Sequence, residues 1–221
     1  ETAAADEIAW RHSILLPMVM FNYANRNHEA ETLRADNVGL AQSVVATIAT
    51  PNGYRYARLY EQAGVAPVEQ FCEWPLTAEN LRTAWRSQPW GFVAWAAHGS
   101  ETTIGRLVWD TDDGNGVPED ANAAGTDEVV GRALYASADV DELDDDRPAF
   151  VIHCSCSNGV PTEMYNLGAS LLEHGAVGTV SASCGTSFVP GTWTPEYAAT
   201  YGDVQSFGYY IPRQMVAGDT I

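Results

Sequence analysis

Lysine is absent from this sequence of 221 residues, and all 11 of its basic residues are arginine. Against 29 Asp and Glu residues they leave a formal net charge of −18. A surface of this charge repels nucleic acid and anionic membranes, so we expect neither as a partner. The charge is suited to basic peptides or cations, or it serves only solubility in a salty or extracellular setting.

Cysteine and long apolar runs are also scarce. The 4 cysteines are too few to staple a chain of this size, so a disulfide framework is not expected. No apolar run approaches the ~18 residues that a membrane-spanning helix needs. With 46% hydrophobic residues, 7 Trp and 10 Tyr, the composition is that of a folded globular protein.

The length predicts one domain over residues 1–221. The chain starts at Glu1 rather than Met, and its last residues resemble an element cut in the middle. We therefore expect a fragment of a longer precursor that is secreted or held at the cell surface, with a separate carboxyl-terminal chain as one candidate partner.

Apolar runs alternate with helical patterns along the chain, which predicts an α/β fold with a mainly parallel sheet. Helices are expected to start near Asp36 and at Thr77, where Thr77 is the candidate N-cap residue. The predicted strands are 13–20, 54–60, 91–97, a strand from Ala149, and 176–183, and two further helices are predicted over 166–174 and near 206–216. Residues 100–147 form a long acidic insertion.

Two of the predicted strands end in residues with catalytic chemistry. The run 91–97 is followed by His98 and Gly99, and the run from Phe150 leads to Cys154 and Cys156. In a parallel sheet the carboxyl ends of the strands share one edge, so a thiol nucleophile and an imidazole base would meet there. The backbone N–H groups of Gly99 and Cys156 are candidates for an oxyanion hole. The residues alone are also compatible with a purely structural role for His98 and with cysteines that are buried and inert.

These segments resemble the gingipain family of cysteine peptidases, which belongs to the caspase-like clan. The resemblance lies in a strand ending in His-Gly-Ser-Glu (98–101), a strand ending in Cys-Ser-Asn-Gly (156–159), and the block 167–180. It implies a caspase-like three-layer α/β/α sandwich and a cysteine endopeptidase with a Cys–His dyad. It also implies that Cys156 is the nucleophile and that Cys154 faces the core. Ser155 departs from the Ala that the family usually has before its nucleophile.

The resemblance further implies where substrate specificity is set. Gingipains that prefer arginine carry an Asp at the start of the helix after the first strand, and Asp36 lies in the matching place. A carboxylate there would pair with an Arg, or less favourably a Lys, before the scissile bond. The alternative is that Asp36 only caps its helix.

Two metal sites can be considered. His153, Cys154 and Cys156 offer three zinc ligands, but strand alternation sends His153 to the opposite face, and a second ligand cluster is missing. The segment 110–120 resembles the calcium-binding loops of repeats in secreted proteins. Its predicted calcium ligands are Asp110, Asp112, Asn115 and Asp120, with Asp113 and Glu119 as substitutes. The alternative is a solvated acidic loop.

Two other classes of function remain compatible with these residues. One is a catalytically silent caspase-like domain that serves binding or scaffolding and is stabilised by calcium. The other is a calcium-stabilised surface module whose cysteines are merely buried. Intact Cys156 and His98 favour the enzyme over the silent domain.

Overall fold

A computed structural model of the chain describes residues 8–120, 127–196, 199 and 202–218. Its strands are β1 Ser13–Met18, β2 Arg55–Tyr60, β3 Trp74–Pro75, β4 Phe92–Ala96, β5 His98–Gly99, β6 Thr103–Trp109, β7 Val129–Ala136, β8 Ala149–Cys154 and β9 Ala176–Val180. Six of them form one parallel sheet in the order β3-β2-β1-β4-β8-β9. The predicted parallel sheet is confirmed.

The central strands are buried along their whole length. Every residue of β1 and of β4 is buried, as expected for strands that are covered on both faces. Pro17 lies inside β1, opposite Leu59 of β2, although proline cannot donate to a strand ladder. The ladder between β1 and β4 omits Leu16 and Pro17 and resumes at Met18. The N–H that Pro17 lacks therefore coincides with a local gap in this ladder.

The helices are α1 Val38–Val44, α2 Ala78–Ser87, α3 Leu167–Glu173 and α4 Val204–Val216, and a π-helical turn, Val45–Ala49, extends α1. The short 3-10 segments are Ala9–Arg11, Arg26–His28, Thr50–Asn52 and Ser137–Glu142. The strand order reverses direction after β3, and crossovers between parallel strands are right-handed, so α1 lies on one face and α2 and α3 on the other. The result is the expected three-layer α/β/α arrangement. No helix in the described ranges is long and apolar enough to cross a membrane.

Several predicted boundaries hold and others shift. Thr77 caps α2, since its side chain accepts a hydrogen bond from the N–H of Asn80 at 3.0 Å. The predicted strands 13–20 and 176–183 end earlier, at Met18 and Val180.

The acidic insertion is a folded unit rather than a loop. Strands β5, β6 and β7 form a separate antiparallel sheet in that order. The hairpin of β6 and β7 has its own apolar face, which buries the side chains of Ile104, Leu134 and Tyr135. The first strand of this sheet, β5, contains His98, which places the hairpin beside the carboxyl edge of the main sheet.

Candidate active site

The register between β4 and β8 brings the predicted dyad to one place. Ala96 pairs with Cys154, and the N–H of Ala97 donates to the Cys154 carbonyl oxygen at 3.1 Å. His98 and Cys156 each follow two residues after this matched pair. They therefore leave neighbouring strands at the same level, on the carboxyl edge of the sheet.

Gly99 lies directly against the backbone of the candidate nucleophile. A Cβ atom at Gly99 would lie 2.3 Å from the carbonyl oxygen of Cys156 and 3.0 Å from its nitrogen. Side-chain carbon atoms do not approach backbone atoms this closely, so only glycine fits. The sequence predicted a role for the N–H of Gly99 in an oxyanion hole; the structure adds that its missing side chain makes room for the backbone of Cys156.

A tight turn presents Cys156. Ser157 has a φ of 57°, in the left-handed region that non-glycine residues seldom occupy. The preceding Ser155 is buried, where it accepts a hydrogen bond from the indole N–H of Trp95 at 3.2 Å and donates to the side-chain oxygen of Asn158. The Ser155 hydroxyl thus fixes the turn, which gives a structural role to the residue that departs from the family's alanine.

Asn158 connects this turn to the histidine segment. It is fully buried, and its amide group donates to the carbonyl oxygens of Ser100 and, at 3.1 Å, Thr103. Because Ser100 follows Gly99 in the chain, these bonds hold the segments of His98 and Cys156 together. The sequence had pointed to Asn158 only as part of a motif.

The two cysteines of β8 and its turn differ in environment. Cys154 is fully buried, and burial raises the pKa of its thiol to about 12, which keeps it protonated and unreactive. Cys156 is partly exposed, and its sulfur lies 3.3 Å from the N–H and 3.4 Å from the hydroxyl of Thr186. The core position predicted for Cys154 is confirmed. Thr186 is a neighbour of the candidate nucleophile that was not among the predicted site residues.

A chain of buried amides holds the segment that carries Thr186. Gln205 of α4 accepts from the N–H of Val189 at 2.7 Å and donates to the side chain of Asn37 at 2.6 Å. Asn37 in turn donates to the Val19 carbonyl oxygen at 2.8 Å. The end of β1, the start of α1 and the segment after Cys156 are therefore fixed to one another.

His98 is oriented by a backbone carbonyl group. Its Nε2 lies 3.2 Å from the Phe21 carbonyl oxygen, and since a carbonyl only accepts, Nε2 carries the proton. Burial lowers the pKa of His98, and the bond to Phe21 opposes this shift only in part. The imidazole is therefore neutral near pH 7. Among the described residues, no hydrogen bond joins His98 to Cys156.

Asp36 lies at the start of α1, as predicted, but its carboxylate already has partners. One oxygen accepts from the N–H of Val38 at 3.2 Å, and the other accepts from Nε of Arg34 at 3.0 Å. Asp36 thus contacts the first N–H of α1, although Asn37 is the N-cap residue and the helix has no side-chain cap. The second oxygen of Asp36 is occupied by Arg34, where a basic substrate residue would have to bind. Both residues line a cavity of about 510 Å³.

A second cavity, of about 440 Å³, lies beside the candidate nucleophile and shares Thr186 with it. Its wall contains Asp203, which was not among the predicted site residues. Asp203 caps α4 by accepting from the N–H of Ser206 at 2.8 Å. Its other carboxylate oxygen, Oδ2, is buried and has no hydrogen-bond partner among the described residues. The only sequence clue was an Asp just before the predicted last helix.

The predicted calcium ligands do not all converge. Asp110 pairs with Arg132 at 2.9 Å, and Asp120 pairs with Arg26 at 2.7 Å. The side-chain oxygen of Asn115 accepts from the N–H of Val117. Of the four, only Asp112 belongs to the group of carboxylates that the structure brings together, which consists of Asp112, Asp113 and Glu128. Glu128 was missed because it lies outside the 110–120 loop.

The chain was compared with known proteins. No protein-family model matches the sequence, and no curated protein matches it. Two solved structures do match: the Arg-specific cysteine proteinase gingipain R (RgpB), with a TM-score of 0.54 and 15% identity over 83% of this chain, and the complex of the Porphyromonas gingivalis RgpB pro- and mature domains, with a TM-score of 0.50 and 16% identity over 83% of this chain.

This chain has a gingipain-like fold. It spans about a third of the length of those structures, 34% and 35% of the two chains. The gingipain-like fold confirms the architecture that the resemblance implied, whereas the activity and its residues require their own evidence.

Proposed function

We propose that this protein is a cysteine endopeptidase in which Cys156 is the nucleophile and His98 is the general acid and base. The observation that carries the proposal is the register between β4 and β8, which sets both residues two positions beyond the paired Ala96 and Cys154. The contrast between the buried thiol of Cys154 and the partly exposed thiol of Cys156 supports the choice of nucleophile.

In the proposed reaction, the Cys156 sulfur bonds to the carbonyl carbon of the scissile peptide, and the amide C–N bond then breaks. His98 transfers the thiol proton to the departing amine, and water later hydrolyses the thioester. With Nε2 donating to Phe21, Nδ1 is the nitrogen left for this transfer. The N–H groups of Gly99 and Cys156 would bind the oxyanion.

We also propose that cleavage follows a basic residue, arginine in preference to lysine. Two carboxylates are candidates for its partner. Asp36 is the one implied by the gingipain resemblance, but a substrate guanidinium there has to displace Arg34. Asp203 lines the cavity next to Cys156 and has an unpartnered oxygen, so it needs no displacement.

The nucleophile is tested by covalent labelling with an arginyl peptide chloromethyl ketone. Cys184 is an exposed free thiol, so Cys184→Ser is the background in which labelling is measured by mass spectrometry. We expect one label, located on Cys156, and loss of both label and peptide cleavage in the added variant Cys156→Ala. Absence of labelling at Cys156 in the folded protein would refute the proposal.

The specificity residue is tested with a matched pair of variants, Asp36→Asn and Asp203→Asn. In both, asparagine keeps an oxygen that can accept the bond from the helix N–H, of Val38 or of Ser206, so the helices should remain intact. The variant at the true partner should lower kcat/KM for an Arg substrate by at least tenfold relative to a neutral substrate. If the wild type shows no preference for Arg or Lys, both assignments fail while the nucleophile remains testable by labelling.

A second candidate function is a catalytically silent caspase-like domain used for binding. The absence of a hydrogen bond between His98 and Cys156 is the observation that favours it. It predicts that Cys156→Ala leaves every activity unchanged.

For either function, we also propose that the protein is secreted or held at the cell surface and that it associates with a separate carboxyl-terminal chain. Detection of the natural protein in culture medium, together with its copurifying chains, tests them.

A further inference from the structure

The connection between β6 and β7 contains a compact group of carboxylates. One oxygen atom from each of Asp112, Asp113 and Glu128 lies within 4.8 Å of the other two. An ion at the common centre of three such atoms would lie at most about 2.8 Å from each oxygen. This distance is close to the ~2.3–2.6 Å of calcium–oxygen bonds. A small inward movement of the two exposed aspartates would complete the fit.

Glu128 is the member of the group that points to a ligand. It is only 3% exposed, and its Oε1 accepts from the N–H of Asp113 at 2.7 Å. Its Oε2 is buried and has no hydrogen-bond partner in the part of the chain that the structure describes. A buried carboxylate oxygen without a partner is costly unless a cation is bound next to it.

No basic side chain among the described residues neutralises this group. Within the described ranges, none of the ion pairs includes Asp112, Asp113 or Glu128. The nearby arginine, Arg132, pairs with Asp110 instead. Three carboxylates therefore converge with their negative charge uncompensated by the protein.

The local backbone shapes the aspartate loop. Asp112 accepts from the N–H groups of Gly114 and Gly116, at 2.9 and 3.1 Å. Both glycines have a positive φ, 102° and 72°, which bends the loop and turns it back toward the start of β7. The Asp110 N–H donates to the Glu128 carbonyl oxygen at 2.8 Å and so joins the two ends of the connection.

We propose that Asp112, Asp113 and Glu128 form a calcium site that fastens the two ends of the β6–β7 connection. The donors are all carboxylate oxygens, which suit a hard cation rather than zinc or copper. Magnesium demands shorter bonds, about 2.0–2.1 Å, and near-ideal octahedral geometry. The spread of these oxygens suits the larger ion. The assignment is independent of the peptidase proposal.

The site is tested by titrating the chelator-treated full chain with CaCl2 in a calorimeter, with MgCl2 as a parallel arm. We expect saturable calcium binding that Glu128→Gln weakens at least tenfold. The matched control is Asp110→Asn, which removes one negative charge from the same connection but should change the calcium affinity less than threefold. Asp113→Asn is a second ligand variant at an exposed position, and it should weaken binding as well.

Thermal unfolding compares the stability of Glu128→Gln and wild type, and the order of the two should depend on calcium. Without calcium, Glu128→Gln should be at least as stable as wild type, because it removes a buried charge that lacks a partner. With calcium, the wild type should gain in Tm and Glu128→Gln should not. The proposal is overturned if Glu128→Gln binds calcium as tightly as wild type, if Asp110→Asn is equally impaired, or if magnesium binds as tightly as calcium.

Discussion

At the scale of single residues, His153 shows how burial turns a side chain into a pH-dependent element of stability. It lies on the strand β8, 2% exposed, with its ring 4.3 Å from that of Trp95. Burial lowers its pKa from 6.5 to about 3, and neither ring nitrogen has a hydrogen-bond partner among the described residues. His153 is therefore neutral in the fold throughout the physiological range.

This shift predicts a loss of stability in acid. Below pH 6.5 the unfolded chain takes up a proton that the folded chain binds only near pH 3, so stability falls as pH falls through that window. The slope is about 1.4 kcal/mol per pH unit, which amounts to on the order of 5 kcal/mol over the window from pH 6.5 to about 3. In urea unfolding from pH 7 to 4, His153→Phe should lack this component, so that its curve is flatter than that of wild type. Parallel curves would contradict it.

Gly99 supplies a second prediction at this scale. Gly99→Ala forces Cβ against the Cys156 carbonyl oxygen and should shift Cys156 by about 1 Å, which would cost about 10²-fold in kcat/KM if Cys156 is the nucleophile we propose. Overpacking should also lower the unfolding free energy by about 1–3 kcal/mol. The control is Gly131→Ala, whose Cβ would meet nothing within 4 Å. Equal stability of the two variants would show that the site tolerates a side chain there.

The sequence predicts the structure best where a feature depends on residues that are neighbours in the chain. An apolar run that ends in a polar residue predicts a buried strand and its end, so His98 and Cys156 could be found. Thr186 is 30 residues from Cys156, and Glu128 is 15 from Asp113. Contacts like these depend on how the chain returns to itself, and no periodicity encodes them. The acidic composition of 100–147 concealed the alternation of β6 and β7.

At the scale of elements, a buried ion pair joins the hairpin to the main sheet. Arg106 of β6 reaches both oxygens of Glu61, at 2.6 and 2.7 Å, just after the end of β2. Glu61 is fully buried and Arg106 is 9% exposed. Burial raises the pKa of Glu61, and Arg106 opposes that shift. The pair therefore fixes the orientation of the hairpin that carries the candidate calcium site.

Breaking this pair should be far more costly than breaking an exposed pair. Glu61→Gln leaves the Arg106 charge buried and uncompensated, which should lower the unfolding free energy by about 3–5 kcal/mol. Asp110→Asn breaks the exposed pair with Arg132, half-exposed at 47% on each side, and should cost less than about 1 kcal/mol. Urea unfolding of both variants at pH 7 measures the difference. A cost for Glu61→Gln no greater than for Asp110→Asn would mean that Arg106 regains solvent.

At the scale of the whole molecule, the net charge of −18 surrounds every site. Its field extends over about 8 Å at physiological ionic strength and farther at low salt. The field favours the approach of cationic peptides and opposes that of anionic ones, before any contact with Asp36 or Asp203 is made. The proposed preference for basic substrates would therefore have two separable origins: the pocket and the field.

Ionic strength distinguishes these two origins if the protein is the peptidase we propose. Two peptides that share an Arg before the scissile bond, one of net charge near +3 and one made neutral by distant Asp residues, should differ in salt dependence. For the cationic peptide, kcat/KM should fall severalfold between about 20 and 300 mM NaCl, because screening removes the long-range attraction. For the neutral peptide it should change little, because the buried contact with the arginine is screened much less. Equal salt dependence for both peptides would assign the preference to the pocket alone and leave the charge of this surface to solubility.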